Sequence, residues 1–155
     1  MSFAPVPVTA AWHHRGGRSG FEVVYFGARS DGWRIEGWTT AIEDGATWAV
    51  EYAIEVDAAW ATRSARIRGR SVGGFSSALL EADGAGHWLV DGEPARHLDD
   101  CLDVERLEQS YLRTTDEASC QRSDYTAPVF GFTSRLVYDQ VGLVLDYPGI
   151  AVRAG

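Results

Sequence analysis

Between Ala46 and Val56 the chain alternates with period two over five successive residue pairs. Trp48, Val50, Tyr52, Ile54 and Val56 fall on one side of an extended backbone, and Thr47, Ala49, Glu51, Ala53 and Glu55 on the other. A helix would scatter these residues around its circumference, whereas a strand sorts them into an apolar and a mixed face. The Trp48 face is expected to be the buried one. Asp-Gly occurs four times, at Asp31-Gly32, Asp44-Gly45, Asp83-Gly84 and Asp91-Gly92. That dipeptide suits the positive φ angles of tight hairpin turns, and short extended segments between such turns describe an antiparallel meander.

Phe21 to Phe26, Trp33 to Thr39, Trp60 to Arg70, Phe75 to Glu81, His87 to Val90, Phe130 to Tyr138 and Leu143 to Asp146 read as further strands, with Ser119 to Thr126 a weaker one. Asp99 to Arg113 fits neither period. Leu98, Leu102, Leu107 and Tyr111, with an N-cap at Asp99, give it helical propensity without helical spacing, so helix and strand both stay open.

The length of 155 residues fits one domain, 1–155, burying roughly 68–70% of its unfolded surface. Acidic residues number 22 and basic ones 14, for a net charge of −8, which argues against nucleic acid or an anionic membrane as partner. Every basic residue is Arg; there is no Lys and no Asn. P-loop, Schiff-base and pyridoxal-phosphate lysines are thereby excluded, as is a Cys-His-Asn triad. A GC-rich genome is the plainest explanation of both absences. Cys101 and Cys120 lack CxxC spacing and read as free thiols. Met1 to His14 has no signal-peptide pattern, and no apolar run reaches the ~18 residues of a membrane span, so a soluble cytoplasmic protein is expected.

No GxGxxG, HExxH or zinc-type cysteine array is present. His13 and His14 are adjacent, and in a strand adjacent side chains point to opposite faces, so they do not chelate one ion. His87 and His97 are isolated, and no metal or other cofactor is expected. Asp99, Cys101 and Asp103 share a face if extended; a solvated edge is the plainer reading than an acid–base cluster. Arg66, Arg68 and Arg70 alternate onto a solvated face, whereas Arg63 shares its parity with Ala61 and Ala65 and needs a partner or a ligand. Six tryptophans suit core packing, and also suit a site for an amphipathic ligand.

Gly142-Leu143-Val144-Leu145-Asp146-Tyr147-Pro148-Gly149, preceded by Leu136-Val137-Tyr138-Asp139, resembles the ending of the bacterial glycolipid-binding family. Asp57-Ala58-Ala59-Trp60-Ala61-Thr62-Arg63 is similar to its Asp-x-x-Trp-x-Thr-Arg segment. Asp83 to Trp88, Asp91-Gly92 and Leu98 to Val104 resemble its central motif, and Gln109 and Tyr111 its Gln-x-Tyr. The resemblance implies an all-β fold: one strongly curved antiparallel sheet, a half-barrel or spiral β-roll resembling the lipoprotein carriers. It implies a non-catalytic site for a glycolipid or other lipid, with no catalytic residues. Arg63, Trp60, Trp88, Tyr111 and Tyr147 are the candidate ligand-binding residues, Arg63 pointing into the concave face. A protein-interaction module using a sheet edge or aromatic patch is the alternative. At Val104-Glu105 the chain passes directly over a stretch that the family carries, and a segment is expected to be absent there.

Overall fold

The computed structural model describes residues 4–94, 108–116 and 120–155. The Val104–Glu105 junction, the Asp99, Cys101 and Asp103 triplet and most of the ambiguous Asp99–Arg113 segment lie outside them. The described chain is almost wholly strand, with no α-helix among the described residues and one turn of 3-10 helix at Pro128–Phe130.

Eight strands run as an antiparallel meander from the amino-terminal side: β1 (Thr9–His14), β2 (Arg18–Arg29), β3 (Gly32–Glu43), β4 (Ala46–Asp57), β5 (Thr62–Ser71), β6 (Gly74–Ala82), β7 (Trp88–Val90) and β8 (Glu93–Pro94). Five more form a second meander: β9 (Ser110–Arg113), β10 (Gln121–Ala127), β11 (Phe132–Tyr138), β12 (Val144–Tyr147) and β13 (Ala151–Arg153). The end of the ambiguous segment is therefore a strand. β1 pairs with β13, through Trp12↔Arg153, His13↔Val152 and His14↔Ala151, and joins the meanders into one 13-stranded sheet. β8 and β9 stand at the ends of the strand order, so the sheet is open.

Turn chemistry sets the hairpins. Asp44 and Gly45 have φ of 49° and 78°, Asp91 and Gly92 of 51° and 86°, as two-residue turns with both central residues left-handed require. Asp31-Gly32 works differently: Gly32 already pairs with Arg29, and a Cβ there would come within 2.0 Å of the Val56 carbonyl oxygen. That glycine serves close strand approach.

Alternation decides the two faces. Register places Trp33, Ile35, Gly37, Thr39 and Ala41 of β3 beside Val56, Ile54, Tyr52, Val50 and Trp48 of β4, all on one side. The sheet curls around that side, so the Trp48 face is the inner one, as expected. Arg66, Arg68 and Arg70 are exposed on the other side. β5 and β12 are six strand steps apart in the sheet, which on a flat sheet would be about 29 Å at ~4.8 Å per step. Side chains from both nevertheless line one cavity. A second cluster sits in the carboxyl-terminal meander, where Tyr125, Ala127 and Leu136 are buried beneath Phe132, Tyr138 and Tyr147.

Candidate functional site

The cavity on the concave face has a volume of about 660 Å³. Most of its wall is apolar: Val24 and Phe26 of β2, Ile35 of β3, Val50 and Ile54 of β4, and Ala65 and Ile67 of β5. Leu143, Val144, Ile150 and Ala151 close it from the second meander. Trp12 bridges the two halves, its Nε1 donating to the Val144 carbonyl oxygen at 2.7 Å while the Arg153 guanidinium lies 4.9 Å over its ring. These residues meet because the inward parity of each strand is apolar over this stretch and each register holds that parity across the sheet.

Polar side chains gather at one end. His14, Arg18, Glu22, Thr39 and Tyr52 come from four consecutive strands and all line the cavity. Tyr52 donates a short hydrogen bond to Glu22 Oε1, two strands away. It can do so because Gly37 lies between them: a Cβ at Gly37 would come within 2.1 Å of the Tyr52 ring. Burial, and then the bond to Glu22, pushes the Tyr52 hydroxyl far above the ordinary tyrosine range. His14 Nε2 sits 3.3 Å from Thr39 Oγ1 and 3.8 Å from Glu22 Oε2. Burial, followed by repulsion from Arg18, holds its imidazole below the usual histidine range.

Of the five residues expected at the site, Tyr147 alone lines this cavity. Its ring packs 5.5 Å from that of Tyr125, and burial, then the bond to Tyr125, pushes its hydroxyl upward. Tyr111 lies on β9, half-exposed against Tyr125. Trp88 lies on β7, two strands beyond β5. Trp60 occupies the β4–β5 turn at a φ of 66° and stacks on Trp33 at 5.7 Å, beyond the last aliphatic row.

Arg63 points away from the cavity, which corrects its expected orientation. Glu55 pairs with Ser64 but Val56 pairs with Thr62, so Arg63 is the extra residue of a β-bulge. The bulge turns Thr62 inward and sends Arg63 outward, where it forms an exposed ion pair with Asp31. Arg63→Ala is accordingly expected to leave amphiphile affinity unchanged and to cost under about 1 kcal/mol of stability, the range of an exposed pair. Isothermal titration and urea unfolding of the variant check both.

The residues missed by sequence reading, His14, Arg18, Glu22 and Trp12, lie on β1 and at the start of β2. One signal was present: Arg18, Glu22, Val24 and Phe26 share one parity, so two charges sit on a face that is otherwise apolar.

A family model described as "Putative glycolipid-binding" matches residues 9–107 and 102–153. No curated protein matches the chain. Among solved structures, a DUF1089-family protein from Pseudomonas aeruginosa superposes with a TM-score of 0.65 at 23% identity. That alignment covers 99% of this chain and 98% of the other, so the two share a fold along their length.

Proposed function

The chain belongs to the glycolipid-binding family, and on that footing we propose that its cavity is a non-catalytic site for an amphipathic ligand. The supporting observation is the division of the wall: apolar side chains over most of a space of about 660 Å³, polar ones gathered at one end. Apolar lining with a few converging polar groups is the usual make-up of a small-molecule site, and this volume lies within the usual range of roughly 300–1,000 Å³. An acyl or other hydrocarbon tail lies along Val24, Ile35, Ile54 and Ile67 and gains by leaving water. A head group meets the polar end.

Native mass spectrometry of freshly purified protein tests this reading. The expected result is a lipid-sized adduct that survives desolvation and is released on denaturation. A protein that never carries such an adduct, and takes none up from added amphiphile, would overturn it. A retained second protein in place of a lipid would favour interaction through a sheet edge.

A further inference from the structure

The two rims of the sheet differ in what their turns carry. Antiparallel order sends alternate connections to opposite ends of the strands, so the β2–β3, β4–β5, β6–β7 and β11–β12 connections share one rim. An aspartate opens or sits in each of them: Asp31, Asp57, Asp83 and Asp139. The β1–β2, β3–β4, β5–β6 and β10–β11 connections share the other rim. Large apolar side chains stand there in solvent. Val72 and Phe75, at the β5–β6 turn, are 93% and 84% exposed, more than any other large apolar side chain among the described residues. Ile42, beside the β3–β4 turn, and Val129 and Phe130, between β10 and β11, are exposed with them.

Charge leans the same way. Around the β1–β2, β3–β4 and β5–β6 turns, Arg15, Arg18 and Arg70 outnumber Glu43 and Asp44, in a chain whose net charge is −8. None of the three arginines is held in an ion pair with another described residue. Glu43 accepts instead from Trp48 Nε1 at 3.3 Å. The Arg70 guanidinium lies 4.3 Å over the Phe75 ring, which sets a cation and an exposed apolar surface side by side.

Apolar side chains carried on separate turns form no groove for a peptide and no continuous face for a second subunit. A lipid bilayer demands neither: apolar side chains enter its interface one by one, while arginines meet the phosphates of anionic lipids. His14 and Arg18, at the polar end of the cavity, close β1 and open β2 on this same rim. We propose that the rim docks on an anionic lipid bilayer, with Val72 and Phe75 entering the interface and Arg15 and Arg70 facing lipid phosphates. Docked so, the polar end of the cavity lies against the head-group layer. The net charge of −8 counts against such a surface only for the chain as a whole. Salt screens charges beyond about 8 Å, so the bilayer senses the rim that approaches it. This adds a partner to the amphipathic-ligand reading and stands without it.

Co-sedimentation with vesicles of phosphatidylcholine alone, and of phosphatidylcholine mixed with phosphatidylglycerol, tests it. The native protein is expected to partition onto the mixed vesicles in preference to the zwitterionic ones. Val72→Ser and Phe75→Ser, both at exposed positions, are each expected to weaken that partitioning about tenfold, the scale of keeping one such side chain in water. Val8→Ser removes a side chain 77% exposed on the aspartate rim, beside Phe26, and leaves partitioning unchanged. No binding to the mixed vesicles, equal binding to both kinds, or a loss no greater in the rim variants than in Val8→Ser would overturn the docking face. Self-association that Val72→Ser abolishes, without vesicle binding, would give the rim to a second copy and overturn it too. Vesicle binding through Val72 by a protein that yields no lipid adduct in mass spectrometry would keep the interface and overturn the carrier.

Discussion

Leu136→Ala is expected to destabilise the protein by about 3 kcal/mol, within the 2–5 kcal/mol range for truncating a buried leucine. Leu136 is 2% exposed and is the largest fully buried side chain among the described residues. It lies opposite Ser123 of β10, on the face shared by Tyr125 and Ala127 and covered by Phe132, Tyr138 and Tyr147. Three of these rings brace one another, with centroids 5.5 to 6.1 Å apart for the Tyr125, Phe132 and Tyr147 pairs. They have little freedom to collapse into the space vacated, which keeps the cavity term in the cost. Urea unfolding monitored by tryptophan fluorescence measures it. A loss below about 1 kcal/mol would show that this cluster repacks and is no core.

Ala65→Trp is expected to abolish amphiphile binding while leaving the fold intact. Ala65 lies between Ile54 of β4 and Leu80 of β6, on the aliphatic stretch of the cavity wall. Adding a large side chain to a packed core costs about 1–3 kcal/mol. Here the ring enters a space already open, and tryptophan is well accommodated in strands. The indole then occupies the volume assigned to the ligand tail. Native mass spectrometry should lose the lipid-sized adduct, with the urea midpoint held. Retention of the adduct would place the ligand elsewhere on the molecule.

Much of the architecture was legible because strands of this kind write their faces into the sequence. Ala46 to Val56 could be sorted into inner and outer residues from spacing alone, and the structure keeps that sorting across the whole length of β4. The same reasoning failed at Arg63 for a definite reason. Parity arguments assume one residue per ladder step, and a single bulged residue reverses every assignment on one side of it. Trp60 failed similarly, since a left-handed tryptophan in a turn leaves no mark in composition or period. β1 and β13 are short strands with weak alternation, and their pairing is a long-range fact that neither segment encodes alone. The polar end of the cavity hangs on that pairing, which brings His14 beside Ala151 while β2 carries Arg18 and Glu22 alongside. Glu22 was visible as a charge on an apolar parity, but its partner Tyr52 was not, because their bond depends on Gly37 leaving the intervening strand bare.

The seam between β1 and β13 also bears on how the chain finds its fold. Within each meander, neighbouring strands are joined by short connections, so most hairpins close small loops and can form early. The seam pairs Trp12 with Arg153 and closes nearly the entire chain for only three ladder pairs. Loop-closure entropy rises with the logarithm of the loop's length, and non-local pairings slow folding because that cost precedes the contacts that offset it. Two locally assembled halves docking along a narrow late ladder is the order of events that this contact pattern favours. The binding cavity, walled by both halves, would then be complete only at the last step of folding.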